Sequence, residues 1–157
     1  MSFSTFSGPV RCGTVREGPG RNTGLVNLSQ SYDTGNLTGT VVGNVDVVPF
    51  VLPRGSQIIN IFVDQVVAAT AGTMTISVGT TVGGADLMAA VATTAGGRFT
   101  GTATAATQLA WQVSTTADTT VYVRIAVGTA TLTAGRAIVT IAYAQRADSG
   151  AQNPVSA

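Results

Sequence analysis

A chain of 157 residues suffices for one domain, and 45% apolar against 10% charged residues leaves its surface to be furnished by Thr, Ser, Gly, Asn and Gln. A net charge of +1 excludes an electrostatic nucleic-acid binder, which needs a basic stripe along the phosphates. The sequence holds neither histidine nor lysine, which removes Ser-His-Asp and Cys-His catalysis, histidine metal sites, Schiff bases and the Walker lysine.

Threonine, valine and isoleucine are abundant, and β-branched side chains suit a pleated surface better than a helix. All eight basic residues are arginine, the side chain favoured where desolvated surfaces meet. The single cysteine, Cys12, rules out an internal disulfide framework. The start MSFSTFSGPVRCG has neither a basic n-region nor an apolar h-region, and no run reaches the ~18 apolar residues of a membrane helix. The expectation is a protein made in the cytoplasm, without membrane or nucleic-acid partners.

In chain order, residues 1–36 come first. They carry Arg11, Arg16 and Arg21, many glycines and few apolar anchors, and Glu17-Gly18-Pro19-Gly20-Arg21-Asn22 cannot be regular helix. The favoured reading is an extended arm that orders on a partner; the alternative is a tail followed by a first short strand, Gly24–Leu28. Residues 37–146 read as one β-module. Its organising stretch is Val47–Val66, two apolar runs around the turn-like Leu52-Pro53-Arg54-Gly55-Ser56, expected to form a strand-turn-strand hairpin. Pro49 predicts an edge position or a bulge for the first of these strands. In the second, Ile59, Ile61 and Val63 point one way and Ile58, Phe62 and Val66 the other, so both faces are expected to be covered.

Thr73–Gly79 alternates cleanly, with Met74, Ile76 and Val78 inward. Asp86–Val91 is expected to form one or two helical turns capped by Asp86, and 92–107 a loop or weak edge strand. Three further strands are predicted around Leu109, Trp111 and Val113, around Val121, Val123, Ile125 and Val127, and around Val139, Ile141 and Tyr143. The last two are joined by a long hairpin connection over Gly128–Gly135. Residues 147–157 are expected to form an exposed tail. Short strands at near-regular spacing without a useful amphipathic helix predict an all-β fold, an antiparallel β-sandwich or jelly roll preceded by an N-terminal arm.

Sites for chemistry are scarce. The carboxylates are Glu17 and six scattered aspartates, and a glycosidase needs two of them flanking one bond, which no spacing here supports. There is no Asp-x-Asp-x-Asp-Gly calcium loop, and Gly18-x-Gly20-x-x-x-Gly24 does not have the dinucleotide spacing. No catalytic, cofactor or metal site is expected. Trp111 reads as core; Tyr122 beside Arg124 reads as an interface anchor or an ordinary cross-strand pair. The candidate partner-contact residues are Arg11, Arg16, Arg21, Ile58, Phe62, Val66, Tyr122 and Arg124.

Phe50-x-Leu52-Pro53-x-Gly55-Ser56-x-Ile58, Val63-Asp64 and Thr73-x-Thr75-Ile76-Ser77-Val78-Gly79-Thr80 resemble small structural proteins of tailed-bacteriophage heads. So do Val121-x-Val123-x-Ile125, Ala137-x-Val139-x-Ile141-x-Tyr143 and the start Phe6-Ser7-Gly8-Pro9-Val10-Arg11-x-Gly13. The chain is similar to capsid decoration, or cement, proteins. The resemblance implies a β-rich virion protein on the outer capsid surface, a homotrimer whose partner is the major capsid protein, with no enzymatic activity and no cofactor. Alternatives from other classes are a head fibre that binds a receptor or glycan, and a tail-associated structural protein.

Overall fold

The computed structural model describes residues 25–100, 110–111 and 117–146. Eight strands account for most of them: β1 (Leu25–Asp33), β2 (Gly43–Leu52), β3 (Ser56–Thr70), β4 (Thr73–Gly79), β5 (Met88–Ala92), β6 (Gly97–Thr100), β7 (Thr119–Gly128) and β8 (Ala134–Arg146). They pair antiparallel in two four-stranded sheets, β1-β8-β3-β6 and β2-β7-β4-β5. Successive strands change sheet at every connection except β4 to β5, which is the eight-stranded jelly roll. The all-β sandwich is as the sequence predicts.

Period-two alternation builds the core. On β7, Val121, Val123, Ile125 and Val127 are buried, while Tyr122, Arg124 and Ala126 stand half-buried on the other side. Met74, Ile76 and Val78 on β4 and Val139, Ile141 and Tyr143 on β8 meet them from the neighbouring strand and the facing sheet. Each fully buried Val, Ile or Leu contributes roughly 1.5–3 kcal/mol by leaving water, so this interlayer is the main source of stability.

Several local expectations are corrected. The stretch Val47–Val66 is not a hairpin, because β2 and β3 belong to opposite sheets and the turn between them crosses the sandwich. In that turn Ser56 N donates to Pro53 O (3.1 Å) and Arg54 N to the Asp118 carboxylate (2.9 Å). Pro53 therefore opens the turn and does not occupy its first central place, while Gly55 takes the left-handed corner at φ 75°. The connection Gly128–Gly135 likewise joins β7 to β8 across the two sheets.

Asp86–Val91 is not helical. Met88–Ala92 is β5, and Asp86 ties the preceding loop by accepting from Thr80 N (2.9 Å) and Thr80 Oγ1 (2.8 Å). Trp111 lies in a turn after the helical Ala110, not in a strand, although it packs against the core as expected and donates from Nε1 to Leu87 O (2.8 Å); Leu109 and Val113 lie outside the described residues. Part of 92–107 does form an edge strand, β6. The sandwich begins earlier than residue 37: β1 starts at Leu25 and pairs with β8 along its whole length. Residues 1–24 and 147–157 lie outside the described residues.

Candidate functional site

β3 shows how a bulge redirects side chains. Its register against β8 shifts between Ile58 and Asn60, so Ile59 is the extra residue and the alternation reverses after it. Ile58 is consequently a core residue, 3% exposed, and Ile59 faces outward. That overturns the reading of Ile58 as a partner contact. Ile61 and Val63 fill the core as predicted, Phe62 stays half-buried on the outer face, and Val66 is exposed at a second register shift.

The remaining described candidates do not form one site. Phe62 and Val66 lie on β3 of one sheet, Tyr122 and Arg124 on β7 of the other. Arg124 is held within its own chain: Nε and Nη2 donate to the two oxygens of Asp46, each at 2.8 Å, from the directly opposite position on β2. The guanidinium also lies over Gly83, where an added Cβ would collide with it and where φ is 72°. Arg11, Arg16 and Arg21 lie outside the described residues.

Two further cross-strand pairs repeat this device. Arg98 grips Asp64 through Nε (2.6 Å) and Nη2 (2.9 Å), and its guanidinium stacks over the Phe62 ring, 4.4 Å from the centroid. Arg136 grips Asp33, which also accepts from Gly35 N (2.9 Å). Bidentate pairs of this kind are directional and locally neutral. Hydrogen bonds from Arg136 lower the Asp33 carboxyl from 3.8 to about 2, and those from Arg124 and Arg98 lower Asp46 and Asp64. Asp46 and Asp64 thus sit on different sheets with different arginines and make no carboxylate dyad.

What sequence reading missed is aliphatic. Val41, Val42, Val45, Val48 and Val51 are all exposed along β2 and its approach, whereas none of the described aromatic residues is. The signal was present in the sequence, because Val47-Val48-Pro49 breaks the alternation that would bury one face. β2 is indeed an edge strand, and its register shifts between Val47 and Phe50 around Pro49. Both outcomes expected of that proline are found together.

The described surface therefore carries charge-compensated pairs on its sheet faces and a valine-lined edge. No protein-family model and no curated protein matches the sequence. Among solved structures, a chain of the capsid of Ralstonia phage GP4 is similar at 24% identity, over 85% of this chain and 92% of that chain, with a TM-score of 0.59. A chain of the cyanophage Pam1 capsid asymmetric unit is 20% identical over 90% of this chain and 98% of that one, with a TM-score of 0.38. The first of these two likenesses shows a shared fold.

Proposed function

We propose that this chain is a structural protein of a tailed-phage particle, one that binds the outer surface of the head and bridges major capsid protein subunits. The observation that carries the reading is the fold shared with the chain of the Ralstonia phage GP4 capsid over most of both chains. A jelly roll alone assigns no function, since the same architecture serves capsid and lectin domains. One feature favours the capsid side of that choice: among the described residues every aromatic ring is buried or half-buried, which leaves no row of exposed rings for sugars to stack on.

In this reading the sandwich is the rigid body, and Arg11, Arg16 and Arg21 pair with acidic or carbonyl groups of a neighbouring subunit. A protein that binds the assembled shell and not its free subunits stabilises the shell by mass action. The test is a reconstruction of the particle of the encoding phage, together with rebinding of the purified protein to heads that lack it. Density on the outer face of the head, spanning subunit boundaries, is expected; density on the tail, or none, overturns the reading. Removing residues 1–24 is expected to leave a cooperatively folding sandwich that no longer stays on heads, because the first strand begins at Leu25. Undiminished binding by that truncated chain removes the role assigned to the three arginines.

A further inference from the structure

We propose that the N-terminal half of β2 is a two-fold seam at which two copies of this chain join their sheets. This rests on the edge strand itself, independently of the virion reading. β2 lies at one margin of its sheet, and among the described residues the backbone of Gly43–Val47 is bonded only to β7. Val41, Val42, Val45 and Val48 are 68, 56, 42 and 54% exposed there. Edge strands are ordinarily blunted by lysine, inward-facing charge, proline or a bulge, because an open edge templates pairing with another chain.

Here the guards cover one half only. Pro49 and the register shift between Val47 and Phe50 interrupt the C-terminal half, where Gln30 Nε2 of β1 also donates to the Val51 carbonyl (2.9 Å). From Gly43 to Val47 none of these devices is present. Asp46, the one charge in that run, is already compensated by Arg124. A strongly charged partner would find no opposite charge to meet.

A second copy does fit. Gly43-Asn44-Val45-Asp46-Val47, the regularly paired part of β2, is complementary to itself when turned antiparallel about Val45. Val45 then stands opposite its own counterpart, Asn44 opposite Asp46, and Gly43 opposite Val47. Opposed residues share parity, so each pair lies on one face of the joined sheet. The Asn44 amide donates to the carboxylate of Asp46 in the second copy, which retains acceptor sites after binding Arg124. An axis at Asp46 would instead place two carboxylates directly opposite each other, a repulsive arrangement. The two four-stranded sheets thereby become one continuous sheet across the axis.

The test uses the full chain. Sedimentation equilibrium is expected to show a dimer, and Val45→Lys, which sets like charges face to face, to raise its dissociation constant roughly tenfold or more. In a Cys12→Ser background, Val45→Cys is expected to cross-link into a disulfide dimer under mild oxidation, because opposed residues on antiparallel strands have Cβ atoms about 4.5–5.5 Å apart. Val82→Cys, exposed on the Thr80–Asp86 loop, serves as the control and is expected to remain uncross-linked. A monomer at every concentration, a trimer indifferent to Val45→Lys, or a dimer whose Val45→Cys variant gives no more cross-link than the control overturns the seam. Should Val45→Lys fail to fold, the cross-linking comparison decides alone. Purified protein reads this result and phage particles read the previous one, so each can fail without the other.

Discussion

β2 and β3 follow each other through three residues, Pro53 to Gly55, yet meet opposite surroundings. β3 is an interior strand, paired to β8 on one side and β6 on the other; β2 is a margin, paired to β7 alone. Both are rich in valine and isoleucine or leucine. Ile61 and Val63 of β3 are nonetheless fully buried, while Val45, Val48 and Val51 of β2 are about half exposed. The contrast is one of position along and across the sheet, for β2 still gives Phe50 and Leu52 to the core past its bulge, and β3 exposes Ile59, Val66 and Val67 at its register shifts. In a jelly roll, neighbours in sequence are seldom neighbours in a sheet, so a turn signal between two strands does not imply that they pair.

The largest effect expected from this contrast comes from truncating one apolar side chain in each strand. Ile61→Ala should cost about 2–5 kcal/mol, since it removes buried methylenes and leaves a cavity. Val45→Ala should stay within roughly 0.5 kcal/mol for the isolated protomer, as substitutions away from packed features do. Urea denaturation of both variants at low protein concentration compares them. Equal losses would break the contrast, because Val45 would then have to be part of the core.

The next effect lies in the turn that separates the two environments. At Gly55, φ is 75° and an added Cβ would meet no atom within 4 Å. The expected cost of Gly55→Ala is therefore that of the backbone conformation alone, about 1–2 kcal/mol. A neutral substitution, measured by the same denaturation, would mean that the crossing between sheets does not depend on that left-handed corner.

Much of this architecture was legible in the sequence where alternation was uninterrupted. β4, β7 and the central part of β8 read directly from their period-two patterns, and Pro49 announced both an edge and a bulge. Alternation carries no information about which sheet a strand joins, which is why β2 and β3 read as a hairpin. It also fails at bulges: one extra residue at Ile59 sends Ile58 into the core, and no local signal marks the insertion. The candidate contacts were less legible. Phe62 and Val66 could not be told apart from Tyr122 and Arg124 without knowing that β3 and β7 lie in opposite sheets. Arg124 could not be seen as occupied because Asp46 is far from it in sequence and opposite it only through the fold. The valine edge is marked in the sequence only by the break in alternation at Val47-Val48, because valine is as common in buried strands as in this exposed one.

The smallest effect separates ionic from apolar contributions, and here the two strands should behave alike. Asp46 on β2 and Asp64 on β3 are each gripped by one arginine across the strand, and their side chains remain 22% and 30% exposed. Hydrogen bonds from Arg124 and Arg98 hold both carboxyls below 3.8, as those from Arg136 hold Asp33 at about 2. A carboxyl whose folded pKa lies below its unfolded one takes up its proton first in the unfolded chain. The stabilisation is therefore complete above the unfolded value and is lost as pH falls through the folded one. Urea midpoints should stay level from neutral pH to about 5 and then decline between pH 4 and 2. Surface exposure keeps that decline smaller than either substitution above, and added salt should shrink it further. Asp46→Asn and Asp64→Asn should each flatten the acid limb to a similar degree, because an exposed bidentate pair draws on its arginine and on solvent, not on the strand's rank in the sheet. A limb that flattens only for Asp64→Asn would show that the interior strand governs ionic contributions as it governs apolar ones. A midpoint that rises below pH 4 would contradict the direction of all three carboxyl shifts.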